Sequence, residues 1–191
     1  MQIEQQAMQQ LMPSLVGQIV LDLACGTGRY GLLARDSGAK QVVGLDNSMA
    51  MLRGNALPHL ALAPTDALPL ADASVDVVLC GLALGHVPQL SPSIAEIGRV
   101  LCPGGTALIS DFHPFIFFNG QRRTFTTPGG QTFAVEHYAH LYSAYHQAAA
   151  DAGLRIDAVH EPTLRDANDP QIKTTGLPAE TPVAIVYRMK K

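Results

Sequence analysis

Three glycines and two carboxylates stand at intervals that suit the grip of a small, ribose-bearing molecule. Gly26, Gly28 and Gly31 form a G-x-G-x-x-G pattern, whose glycines permit positive φ and let a ligand approach the backbone closely. Asp46 follows about 20 residues later, where an acid reaches ribose hydroxyls. Asp22 precedes the first glycine by four positions; a carboxylate there would repel a dinucleotide's pyrophosphate but attract an ammonium group. Five histidines, His86, His113, His137, His140 and His146, offer a side chain whose ordinary pKa of about 6.5 suits proton transfer near neutrality. His113 is the first candidate, with Asp111 near enough to orient it; capping the turn before Pro114 is its alternative role. His137 and His140 would share a face if helical and, with Glu136, suggest a metal site, but no clear third and fourth ligand follow, so no metal is expected.

Such groups need a strand, a turn and a helix to aim them. Residues 19–23 are an apolar run of the kind found in a parallel sheet covered on both faces, and it ends in the glycine turn. Tyr30, Leu32, Leu33 and Ala34 then recur at helical spacing, Gly38 stops the helix, and residues 41–45 read as the next strand, with Asp46 at its carboxyl end. The pattern repeats. A helix is expected over residues 3–15, with Pro13 near its end; Ser48 caps a helix through Met51 and Leu52; strands follow at 60–63 and 75–79; a helix opens at Ser91-Pro92-Ser93; and a strand covers 106–110. Beyond it, a helix over 143–152 and strands at 154–160 and 183–189 complete the set, with a surface excursion at 161–182. Residues 124–126 and 131–135 alternate around Pro128-Gly129-Gly130 as a β-hairpin.

The segment Asp22-Leu23-Ala24-Cys25-Gly26-Thr27-Gly28 resembles the first motif of the class I S-adenosylmethionine-dependent methyltransferases, in the branch that includes ubiquinone and menaquinone biosynthesis. Asp66-Ala67 followed by Asp76-Val77-Val78, and Arg99-Val100-Leu101 followed by Pro103-Gly104-Gly105, are similar to later motifs of that family. The resemblance is dense over residues 19–111. It implies a Rossmann-like, doubly wound α/β fold whose seven-stranded sheet is mostly parallel, with the last strand antiparallel and helices on both faces. It also implies S-adenosyl-L-methionine as cofactor, held by Asp22, Ala24, Gly26, Gly28, Asp46, Asn47, Met51, Asp66, Ala67, Gly81 and Leu82, and a catalytic place for His86 beside His113. Relatives usually carry further helices ahead of the first strand that close over the cofactor. This chain begins later, so a more open site, or a cover supplied by a later segment or a second subunit, is expected.

Residues 112–135 leave the family pattern and, from Phe112 onward, hold all six phenylalanines, with Phe115, Phe117, Phe118, Phe125 and Phe133 past the expected end of the fifth strand. They read as a substrate cover inserted into a single domain of residues 1–191, with Phe115, Phe117, His137 and His140 on the acceptor side; a dimer contact or a satellite core is the alternative. A chain of 191 residues with net charge -3 and no basic run lacks the footprint of a nucleic-acid binder, so a small-molecule acceptor is expected. No apolar run reaches the ~18 residues of a membrane span, and three cysteines without a C-x-x-C pair suit reduced thiols in a cytoplasmic protein. A homodimer stays open. The leading function is methyl transfer to oxygen or carbon of a metabolite. A nicotinamide-dependent oxidoreductase, which Asp22 argues against, and a non-catalytic cofactor-binding subunit are the alternatives.

Overall fold

Apolar runs too continuous for a half-exposed strand become strands covered on both faces. The computed structural model of the chain describes residues 2–121, 124–127, 129–166 and 176–191, apart from the side chain of Phe125. Its elements are α1 (Gln2–Leu11), β1 (Ile19–Leu23), α2 (Arg29–Asp36), β2 (Gln41–Asp46), α3 (Met49–Leu52), β3 (Leu60–Leu62), β4 (Val75–Gly81), α4 (Leu90–Val100), β5 (Leu101–Phe112), α5 (Pro114–Phe118), β6 (Thr124–Thr126), β7 (Thr132–Ala134), α6 (Tyr142–Asp151), β8 (Arg155–His160) and β9 (Ala184–Lys190). Seven strands form one sheet in the order β3-β2-β1-β4-β5-β9-β8, and β9 alone runs against its neighbours.

Alternation along each strand sends its residues to two cores. Val20, Val42, Val77, Leu79, Leu108 and Val186 pack on Ala7 and Met8 of α1 and on Tyr30 and Ala34 of α2. On the other face, Leu21, Leu45, Val78 and Ile109 pack on Ile94 and Ile97 of α4 and on Tyr145 and Ala149 of α6. The chain leaves β1 towards β2 on one side and returns to β4 on the other. The crevice between the carboxyl ends of β1 and β4 is therefore the switch point where ligands of such sheets bind.

Several boundaries move. The first helix stops at Leu11 rather than near Leu15, because Pro13 disfavours helical backbone at the residue before it. Pro103-Gly104-Gly105 does not end a strand: β5 runs through it, and its pairing with β4 jumps from Leu101↔Val75 to Thr106↔Val77, so the extra residues bulge out, with Gly104 at φ 81°. The hairpin forms as β6 and β7 with Phe125 opposite Phe133; Pro128 of its turn lies outside the described residues, as does part of the excursion at 161–182. Helix α5 was not expected. Residues 135–141 are irregular, so His137 and His140 do not share a helical face. Among the described residues no helix is long and apolar enough to cross a membrane.

Candidate functional site

At the switch point the backbone is strained on both sides. Ala24, just past β1, has φ 52°, and Leu82, just past β4, has φ 56°; outside glycine such values cost about 1 to 3 kcal/mol and cluster at ligand sites. Each is held in place. Cys25 N donates to Leu45 O at 2.9 Å and Gly28 N to Cys25 O at 2.8 Å, closing the turn through Gly26 and Gly28, while Leu82 N donates to Ser110 O at 2.9 Å. Asp46 stands beside that turn, only 7% exposed, with Oδ2 accepting from Gly26 N at 2.7 Å and Oδ1 from Ser48 N at 2.8 Å. A carboxylate oxygen accepts more than one hydrogen bond, so each keeps capacity for a hydroxyl donor. Asn47 on the loop after β2, Met51 on α3, and Asp66 and Ala67 on the loop after β3 are exposed along the same edge of the sheet.

Asp22 lies near the end of β1, behind the glycine turn. It is 2% exposed, lies beneath α2, and accepts from Gly31 N at 2.7 Å. Burial pushes its carboxyl up to about 7, against the lowering effect of that hydrogen bond and of Arg29. It braces the turn from behind. Gly31 is required by this packing, since a Cβ there would sit 2.9 Å from Asp22 Oδ2. Gly81 is required too: its Cβ would come within 2.3 Å of Tyr30 Cε2.

Beyond β4 and β5, hydrogen-bond partners bear on which imidazole nitrogens carry protons. His113 is 1% exposed and caps α5, its Nδ1 accepting from Phe115 N at 3.2 Å. The proton therefore sits on Nε2, which faces Glu161 Oε1 at 3.1 Å and the Tyr142 hydroxyl. Both nitrogens are engaged in this conformation, and Nδ1 caps α5. Burial also holds its pKa below the ordinary value, against the raising effect of Glu161. Asp111 does not orient it; that carboxylate, 3% exposed and pushed up by burial to about 6, accepts from Tyr145 OH at 2.8 Å and Phe112 N at 2.8 Å.

His86 lies in the 3-10 turn Leu84–His86 just beyond Leu82, half-buried, with Nδ1 2.7 Å from Glu136 O. A carbonyl accepts only, so Nδ1 carries a proton. His140 has the opposite arrangement: Nε2 donates to Val87 O at 2.9 Å. His137 packs against Gly85, where a Cβ would be 2.1 Å from its Cε1, with Phe112 and Phe117 at ring distances of 5.6 and 6.0 Å. Tyr138 N donates to Gly85 O at 2.7 Å. Residues 136–140 thus form a strap across the turn after β4. Phe115 stacks edge-on with His113 and is 52% exposed, whereas His146 points outward from α6.

A family described as a methyltransferase domain matches residues 21–109, the stretch that builds the glycine turn, Asp46 and β4. Over 123 residues the chain is 36% identical to a malonyl-[acyl-carrier protein] O-methyltransferase of Xylella fastidiosa (strain M23), which covers 59% of this chain and 42% of that protein. It is 39% identical over 109 residues to a 2-phytyl-1,4-naphtoquinone methyltransferase of Synechococcus elongatus, covering 51% of this chain and 47% of that one. The match thus spans less than half of either relative. Among solved structures, an S-adenosylmethionine-dependent methyltransferase of Mesorhizobium loti has a TM-score of 0.81 at 23% identity, covering 99% of this chain and 98% of that chain, which speaks for the fold.

The region around the crevice also draws on residues that motif reading missed. Asn55 braces the glycine turn, its Nδ2 donating to Gly26 O at 3.0 Å, and a Cβ on Gly28 would meet its Oδ1 at 2.5 Å. Glu4 is fully buried on α1. Its signal was present: it falls three and four residues before Ala7 and Met8, within the inward stripe of the helix. Tyr142, Tyr145 and Glu161 gave no comparable signal, since their partners lie on other elements.

Proposed function

We propose that the chain is an S-adenosylmethionine-dependent methyltransferase acting on oxygen or carbon of a small-molecule acceptor. The observation that carries this reading is the strained pair Ala24 and Leu82 flanking the crevice, with the carboxylate of Asp46 at its rim. The residues fit such a cofactor. Asp46 would take the ribose hydroxyls, Asn47 and Met51 the rim of the nucleoside, Asp66 and Ala67 the adenine edge, and the backbone at Ala24, Gly81 and Leu82 the methionine end. When bound, the cofactor supplies a methyl group already activated on a positive sulfur.

What the chain must add is mainly position, since holding reactants in line lowers the barrier by several kcal/mol. Where the acceptor must lose a proton, His86 Nε2 is the atom to take it. Its neighbour His137 would line the acceptor side with Phe117, and His140 would hold the strap closed. The names of the two relatives, an acyl-carrier-protein-bound acid and a quinone, support a small acceptor. The three unpaired thiols, Cys25, Cys80 and Cys102, suit a cytoplasmic protein. Residues 112–135, with the exposed Phe115 and Phe118, would cover the acceptor; a second copy is the competing occupant of that face.

Calorimetry with S-adenosylmethionine, S-adenosylhomocysteine and NAD tests the cofactor: the first two should bind and the third should not. A screen of metabolites with radiolabelled methyl donor then reads the acceptor. Deleting residues 121–132 should abolish turnover and leave cofactor affinity within about two-fold, because closure excludes water from the reaction rather than holding the nucleoside. A deletion variant that methylates normally would remove the cover, and light scattering of both forms would show whether it held a dimer.

A further inference from the structure

Four segments of the chain meet at His113. Its backbone N donates to Val183 O at 3.2 Å, just ahead of β9, and Nδ1 of its ring accepts from Phe115 N at 3.2 Å, in the first turn of α5. On the far side of the ring, Nε2 meets Glu161 Oε1 at 3.1 Å, directly after β8, and the hydroxyl of Tyr142, the first residue of α6. The ring itself is sealed, at 1% exposed, while the Glu161 side chain beside it is 45% exposed. Helix α5 opens the segment read as a cover, and its other holds are slight. At five residues it is too short to stand as a helix by itself; Ile116 packs it on Ile3, Leu164 and Val183, and Phe117 lies 6.0 Å from His137, whereas Phe115 and Phe118 are 52% and 66% exposed. The cap at His113 is thus the polar tie between the cover and the sheet.

A ring nitrogen accepts a hydrogen bond only while it carries no proton. When His113 takes up a second proton, Nδ1–H confronts the N–H of Phe115, donor against donor, and the positive ring is drawn instead to Glu161. We propose that His113 is a proton-operated latch on the cover: its neutral ring holds α5 against the sheet, and its protonated ring gives up α5 while keeping Glu161. Glu161, after β8, and Tyr142, on α6, are the ionisable groups that meet the ring among the described residues. Tyr187 of β9 lies within electrostatic reach of both, and Asp111 of β5 is taken up by Tyr145 OH and Phe112 N. Burial holds the His113 pKa below the ordinary value of about 6.5, against the raising effect of Glu161. The folded chain thus favours the neutral ring. The cap's contribution is fully present above the ordinary value and is lost as pH falls through the lower, folded one.

The latch is read on the full chain without ligand, so it stands or falls apart from the cofactor reading. Amide hydrogen exchange, corrected at each pH for the intrinsic rate and resolved by mass spectrometry, should show residues 114–121 exchanging about 2- to 30-fold faster at pH 5 than at pH 7.5, the fold-change that loss of a helix cap is worth. Residues 19–23 of β1 should not follow, since the buried acids Asp22 and Asp111, whose pKa values burial raises, favour the fold as pH falls. His113→Asn keeps an oxygen to cap α5 but cannot ionise, so its exchange at 114–121 should stay flat across the range. Glu161→Gln keeps a hydrogen-bonding oxygen and removes the charge that favours the protonated ring, so its release should come at a lower pH than in wild type. A wild type that shows no acceleration, an acceleration shared by β1, or one retained in His113→Asn would overturn the latch. Should His113→Asn fail to fold, Glu161→Gln decides alone: a midpoint moved to lower pH upholds the latch, and an unmoved one overturns it.

Discussion

The two sides of the crevice are built by different means. On the cofactor side, from β1 to Asn55, the working groups are backbone: a turn at Ala24–Gly28 closed by N–H and C=O groups, with Asp46 and Asn55 as local braces. On the acceptor side, after β5, they are rings brought from afar: His86 meets Glu136 across 50 residues of chain, and His113 meets Glu161 across 48. Local geometry demands residue types at fixed spacing. Distant ring contacts demand only that the partner arrive, so they write no motif.

Two glycines four residues apart put this contrast to the test with the largest effects. At Gly81 a Cβ would drive into the buried ring of Tyr30; at Gly85 it would drive into His137 and, at 2.7 Å, Asp111 Oδ1. Either alanine should cost about 1 to 3 kcal/mol of stability, as overpacking does. Their functions should part. Gly81→Ala should lose cofactor binding, while Gly85→Ala should bind cofactor normally and lose turnover, because it lifts the strap at residues 136–140. Thermal denaturation with and without S-adenosylhomocysteine would show it, and a cofactor-stabilised Gly81→Ala would merge the two sides into one.

Next in size is the exchange between two histidines. His86→Asn should lower turnover by about 100-fold or more on an acceptor that must lose a proton, the usual worth of a positioned base. His113→Asn should keep turnover within about three-fold, since asparagine caps a helix well. The reverse result would mean that the hydrogen bonds to Glu136 O and Phe115 N do not set the tautomers that act.

The sequence carried the sheet, the glycine turn and Asp46 because each is a local rule: continuous apolar runs, positive φ, an acid at a strand end. Spacing put the Asp22 carboxylate near the turn but could not say that α2 lies over it. For His113, proximity to a strand end was visible in the sequence and a helix cap accepting from Phe115 N was not. Helix α5 escaped because Pro114–Phe118 is too short and too aromatic to show a period.

On the cofactor side a middle-sized effect is due at Asp46. Asp46→Ala should weaken S-adenosylmethionine by about 1.5 to 3 kcal/mol, the worth of a charged hydrogen bond, and should release Gly26 N and Ser48 N. Calorimetry reads it, and unchanged affinity would mean that the ribose lies elsewhere.

Each side also buries one carboxyl against a helix, Asp22 with a pKa raised to about 7 and Asp111 with one raised to about 6, in both cases chiefly by burial. An unfolded aspartate titrates near 3.9. Between that value and the raised one the folded chain holds the proton more tightly than the unfolded chain does, so each acid contributes stability that is fully present below about pH 4 and lost as pH rises through its folded pKa. The windows differ. Asp111 should finish its loss near pH 6, whereas Asp22 should go on destabilising the fold up to about pH 7. Asparagine keeps an oxygen for Gly31 N at position 22, and for Phe112 N at position 111, but cannot ionise. Urea denaturation at pH 5, 6, 7 and 8 should therefore show Asp22→Asn gaining about 1 to 2 kcal/mol on wild type between pH 5 and 8, part of it between pH 6 and 7, where Asp111→Asn gains little. A wild-type slope retained in Asp22→Asn would mean that Arg29 and Gly31 keep that carboxylate ionised, and that the turn carries a permanent negative charge beneath the crevice.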